Sequence, residues 1–187
     1  MNIREMHAES VPLHRGLSTS LESKGKVGGV AMITDAVLEF LAVARSVSAG
    51  SCNALRQPFA TRCAALRVAP DRLHVSMFIA EAVSQTLLRN IAETGRLAVQ
   101  ASHPPDHRTL QLKGRTVRSG LAPDSDRAFV ERHVHELAAV VDQLGMPYAR
   151  VVRMTHWPAI VVDIRVEEIY LQTPGPGAGA PLAGRSP

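Results

Sequence analysis

"LHVSMFIAEAVSQTLLRNIAETGRLAV", residues 73–99, decides the fold. Its first part alternates, with Leu73, Val75, Met77 and Ile79 on one side and His74, Ser76 and Phe78 on the other, the two-residue period of a strand. In "EAVSQTLLRNIAETG" the period lengthens. Val83, Leu87 and Ile91 fall in line at helical spacing, and Gly95 predicts the stop. "RLAVQAS" then returns to a strand.

Upstream, Thr34 predicts the cap of a short helix with Leu38, Leu41 and Ala42 on one face. "RSVSAGSCNALRQPFATRCAALRV" has a small-residue, strand-like rhythm with "LRQP" as its turn. Downstream, "DSDRAFVERHVHELAAVVDQLG" is the longest predicted helix. Val130, Val134, Leu137, Val141 and Leu144 form its stripe, acids open it and Gly145 closes it. The final element, "ARVVRMTHWPAIVVDIRVEEIYLQ", points Ile160, Val162, Ile164 and Val166 inward. Its phase slips at Glu167–Glu168, the signature of a bulge. By count, five to seven strands among helices fit an α/β chain. The tight turn and short connections favour antiparallel pairing, hence a barrel or sheet with helices packed outside.

The chain of 187 residues is long enough for one domain with a core that needs no disulfide or metal. No apolar run approaches the roughly 18 residues of a membrane helix. "MNIREMHAES" lacks the apolar core of a signal peptide, so the expectation is a cytoplasmic protein. Residues 1–30 read as an arm, 31–172 as the folded domain and 173–187, "TPGPGAGAPLAGRSP", as a tail too rich in Pro and Gly for a helix or central strand. The net charge of +4 favours anionic partners but defines no fold. Aromatics are 4% and lie mainly in apolar runs, which leaves little for the stacking platform of a single-strand binder. Neither nucleic acid nor membrane is an expected partner.

Two stretches carry binding chemistry. In "RTLQLKGRTVR", residues 108–118, Leu110 and Leu112 face a core while Thr109, Gln111, Lys113 and Arg115 project oppositely. A hydroxyl, an amide, an ammonium and a guanidinium suit an anion or a carbonyl-rich ligand, or else form a solvated outer face. In "FATRCAALRV", Arg62 shares a side with Ala60 and Ala64. It either has room beside it for a ligand or a second subunit, or lies over small residues paired to an acid.

Together with the "TGRLAV" strand and "YLQTPGPGAG", these segments resemble the FMN-binding split-barrel proteins, the pyridoxamine 5'-phosphate oxidase-like superfamily, from about Thr34 to Gly179. The resemblance implies a mainly β fold: a six-stranded antiparallel Greek-key split barrel with flanking helices, forming a homodimer with FMN between subunits. It implies an FMN-dependent oxidoreductase of unknown substrate. The alternatives are a haem or flavin carrier or sensor without turnover, and a relative using the deazaflavin F420. Carried over by motif, Thr61 and Arg62 would approach the phosphate from their strand, and Ser84 and Gln85 from a helix start. Thr109, Gln111 and Lys113 would lie at the flavin, and Met77 and Phe78 would run beside its ring. Gln85 stands where the vitamin B6 oxidases carry a lysine, and their basic C-terminal motif has no counterpart here, which argues against that specific activity.

GxSxG, HExxH, P-loop and GxGxxG sequences are absent. Pro104 and Pro105 forbid the helix that would align His103 with His107 for a metal, and His133 and His135 point to different helix faces, so no metal site is expected. His156 is the histidine to test for haem ligation. Cys52 and Cys63 lie in no zinc spacing and read as two buried thiols, or as a redox pair if they face across a hairpin.

Overall fold

The computed structural model describes residues 26–27 and 30–183. The expected N-terminal arm lies almost wholly outside the described residues, as does the end of the tail. A ribbon of β1 (Lys26–Val27) and β2 (Val30–Ala31) leads into helix α1 (Asp35–Val43), whose start is fixed by Thr34 accepting from the Val37 N–H at 3.4 Å. Then follow β3 (Ser46–Cys52), β4 (Pro58–Cys63), β5 (Ala65–Val68), β6 (His74–Ala80), α2 (Gln85–Thr94), β7 (Arg96–Ser102) and β8 (Thr109–Leu121). Helices α3 (Arg127–Asp142) and α4 (Tyr148–Val152) precede β9 (Ala159–Leu171) and β10 (Pro181–Ala183).

All pairings are antiparallel, and the sheet runs β4-β3-β7-β8-β9-β6-β5, with β10 added to β9. Its two outermost members, β4 and β5, are one stretch of chain broken only at Ala64. β4 pairs with β3 at one edge, β5 pairs with β6 at the other, and the Ala64 N–H donates to the Phe78 carbonyl at 2.7 Å across the kink. The sheet therefore closes on itself. Treating β4–β5 as one strand and setting β10 aside leaves six staves. The strands β3, β4–β5 and β6 follow one another through short connections, and β7 returns past α2 to lie beside β3, the Greek-key order. The expected mainly β, antiparallel split-barrel architecture is what the chain forms.

Alternation fills the barrel. Val47, Val75, Met77, Ile79, Val99, Leu110, Leu112, Val162, Ile164 and Ile169 are all buried, joined by Phe40 and Leu41 of α1 and Leu87 and Ile91 of α2. Removing such side chains from water supplies about 1.5–3 kcal/mol each. Gly95 ends α2 at φ 63, its N–H donating to the Ile91 carbonyl. The predicted bulge is present: Lys113 pairs with Glu168 and Gly114 with Val166, leaving Glu167 as the extra residue. Gly114 must be glycine there, because a Cβ would run into the Arg165 carbonyl.

Three local expectations differ. Phe78 is fully buried although it faces away from Met77, because Val130, Val134 and Leu137 of α3 cover the outside of β6 and form a second core with it. Val83 lies in a 3-10 turn rather than in α2 and is half exposed, as is Leu144 beyond α3. "YARVV" forms α4 rather than the start of the last strand. Among the described residues no helix is long and apolar enough to cross a membrane.

Candidate functional site

Most of the bases in residues 108–118 are matched by acids that their own segment does not hold. Arg115 lies 3.4 Å from Glu167, and Arg118 meets Asp163 at 2.9 Å, both acids on β9. Arg108 is held at 2.6 Å by Asp106, which also binds His103 at 2.9 Å and so fixes the 103–108 turn. Burial opposes ionisation of Asp106, but the hydrogen bonds from His103 and Arg108 outweigh it and hold its carboxyl below the usual range. Lys113 is the exception. Its Nζ sits 4.3 Å from the centre of the Tyr170 ring, a cation–π contact, and no carboxylate among the described residues lies within ion-pair distance.

Two concavities flank β4. The first is a trough of about 570 Å³ on the outer face of the sheet, floored by Gly50, Ala60 and Ala98 and edged by Phe59, Lys113 and Glu168. Residues of one cross-strand row build it: Ala60, Gly50, Ala98, Lys113 and Glu168 face one another in register across five strands. Small residues in the middle of that row leave the hollow. The second is a cavity of about 390 Å³ lined by Thr61 and Arg62 from β4, Ala64 at the kink, Ala80 at the end of β6 and Val83 beyond it. Val134 from α3, Val151 from α4, and Met154, Thr155 and His156 from the α4–β9 connection close its outer wall.

Arg62 is the distinctive group of the second cavity. It has no acid partner among the described residues, which removes the reading of a guanidinium paired over small neighbours. It is exposed by surface area, yet burial of its guanidinium lowers its pKa from the ordinary arginine value, with the neighbouring Cys63 pulling the other way. An arginine stays cationic through such a change. His156 enters the same cavity with its Nδ1 bound to the Met154 carbonyl at 2.8 Å. That bond places the ring proton on Nδ1 and leaves Nε2 as the free nitrogen.

The other sequence-derived candidates fall as follows. Ser84 is fully buried, and its hydroxyl donates to the Glu81 carbonyl at 2.9 Å. Gln85 opens α2 and is exposed, one residue beyond it. Thr109 is buried at the β7–β8 turn, its hydroxyl donating to Ser102 at 2.9 Å. Gln111 sits on the outer face between Gln100 and Tyr170. Met77 and Phe78 are core residues whose strand is paired on both sides. Arg62 and Lys113 are separated by β3 and β7, about 14 Å at ordinary strand spacing, and line different concavities of one chain. Thr155 and the apolar wall from α3 and α4 escaped the sequence reading, since nothing local marks a helix as the lid of a distant strand. The cysteines do not face each other: Cys63 pairs with Val47 and Cys52 with Pro58, at opposite ends of the hairpin.

Barrel and cavities define the class: an antiparallel split β-barrel with a pocket holding one arginine between one stave and an outer helical layer. No protein-family model matches the chain, and no curated protein matches it. Solved structures do. HupZ of Group A Streptococcus is similar at 17% identity and a TM-score of 0.47, over 79% of this chain and 100% of that one. A putative pyridoxamine 5'-phosphate oxidase from Lactobacillus delbrueckii has 16% identity and a TM-score of 0.46, over 79% and 99%. HutZ, the haem storage protein of Vibrio cholerae, has 7% identity and a TM-score of 0.42, over 75% and 94%. With these TM-scores below 0.5, the functional reading rests on the residues of this chain.

Proposed function

We propose that the chain binds a phosphorylated flavin, FMN, and serves as a flavin-dependent oxidoreductase. The observation that carries this reading is Arg62: a cation without a carboxylate, partly shielded, in a pocket of ligand size whose other walls are mostly apolar. A phosphate satisfies such a guanidinium with two parallel hydrogen bonds. Thr61 adds a hydroxyl on the same side. Val134, Val151 and Met154 supply an apolar wall for a ring. When bound, the flavin supplies the electron transfer, and the chain's residues position it and exclude water.

The trough beside Lys113 extends the reading to a homodimer. Its small-residue floor leaves a shallow concave face that a second copy can cover, placing Lys113 and Gln111 near the partner. Purified protein should be yellow and carry one FMN per chain, and Arg62→Ala should lose the flavin while retaining its circular dichroism. Colourless protein that takes up no added FMN overturns the proposal.

A second reading has its own observation. The free Nε2 of His156 in the same pocket suits the iron of a haem, which would make the chain a carrier without turnover. A Soret band on adding haem, abolished in His156→Ala, distinguishes it.

A further inference from the structure

Helix α3 has a second flank. Val134 closes the Arg62 cavity, but Phe129, Arg132, His133 and Glu136 face another cleft, of about 320 Å³, between α3, α1 and β5. Its apolar lining is Leu38 and Leu41 from α1, Leu66 and Val68 from β5, and the Phe129 ring. Above this floor stand three guanidiniums, from Arg45, Arg67 and Arg132.

Their partners differ. Arg67 is already paired: both terminal nitrogens bind Asp126, at 2.8 and 3.2 Å, and its Cζ lies 5.2 Å from the ring centres of Phe78 and Phe129. Arg45 meets Glu136 through Nε at 2.8 Å, which leaves its terminal N–H groups available. Arg132 lies 5.8 Å from the centre of the Phe129 ring and has no carboxylate within ion-pair distance among the described residues. His133 is buried, with Nε2 at 3.3 Å from the Arg45 carbonyl, and so serves as a neutral wall. Three cations against two carboxylates leave one positive charge over an apolar floor. Stacking on Phe129 restrains Arg132, so less side-chain freedom is lost when it binds an anion.

We infer that the cleft between α1 and α3 is a binding site for an aromatic organic anion, a flat apolar body capped by a carboxylate or sulfonate. The body lies against Leu41, Val68 and Phe129 while the anionic end meets Arg132 and the free edge of Arg45. This site is separate from the cavity of Arg62 and does not depend on the flavin reading.

The probe is 8-anilinonaphthalene-1-sulfonate, titrated into the full chain and followed by its fluorescence. Arg132→Glu should weaken binding tenfold or more. Ala42→Trp, which fills the cleft from an exposed position on α1 without entering the core, should weaken it as much. Arg62→Ala should leave it unchanged, and Arg132→Glu should leave FMN binding unchanged, so that loss of either site is told apart from loss of the other. Parent-like affinity in both Arg132→Glu and Ala42→Trp, with circular dichroism intact, overturns the assignment, as does abolition of probe binding by Arg62→Ala.

Discussion

Gly114 lies against the backbone of Arg165, where the bulge at Glu167 lets β8 and β9 approach closely: a Cβ on Gly114 would strike the Arg165 carbonyl, with its carbon at 2.9 Å. The obstacle is backbone inside a paired sheet, so it cannot swing aside. Gly114→Ala should cost roughly 1–3 kcal/mol, the range of overpacking. Gly120→Ala on the same strand meets open space and should cost nothing. Urea unfolding midpoints of the two variants check this, and equal midpoints would refute the close approach.

His133 predicts a pH dependence. Burial, with repulsion from Arg45 next, lowers its pKa from the ordinary 6.5 to about 4. Between those values the unfolded chain takes up a proton that the folded chain refuses, so stability falls as pH drops through the window and is unaffected above it. The loss by the lower end is on the order of 3 kcal/mol. His133→Gln should flatten the slope of unfolding free energy between pH 6.5 and 4.5, while the losses from Asp106 and the other hydrogen-bonded carboxyls come lower. An unchanged slope in that variant would place the titration elsewhere.

The two cysteines should react unequally. Cys63 is buried, and burial pushes its thiol up to about 12, with Arg62 offsetting only part. Cys52 is partly exposed at the rim of the trough. In folded protein a thiol reagent should modify one cysteine rapidly, and mass mapping should find it at position 52. Two fast equivalents would contradict the burial of Cys63.

Arg67 joins β5 to α3 through Asp126 and two aromatic rings. Arg67→Ala should destabilise by about 1–3 kcal/mol, since it strips a mostly buried carboxylate of its partner as well as losing packing. Arg127→Ala, whose pair with Glu131 is an exposed helical one, should cost at most about 0.5 kcal/mol. Thermal unfolding of the pair checks the contrast.

Much of the barrel was legible because strand and helix periods are local. The alternation of "RLHVSMFI", the cap at Gly95 and the phase slip at Glu167 all mark features that the chain forms. Long-range partnerships were not legible. The acids that answer Arg115 and Arg118 lie on β9, some 45 to 52 residues later, so a donor-rich strand read alone resembled a binding surface. Phe78 looked like the exposed phase of its strand because α3, which buries it, is distant in sequence. Arg62 was singled out through its small neighbours, and its lack of an acid partner among the described residues needed the fold. Helix α4 was missed because "ARVVR" is as rich in β-branched residues as the strand that follows.

The ribbon from Pro58 to Val68 is sewn into both margins of the sheet, with its only bend at Ala64. A cut there would release two seams at once. Each margin is tied to the other through the same covalent ribbon, so the two should come apart together. The two hollows lie one after the other along that ribbon, so a displacement of the ribbon would be felt in both.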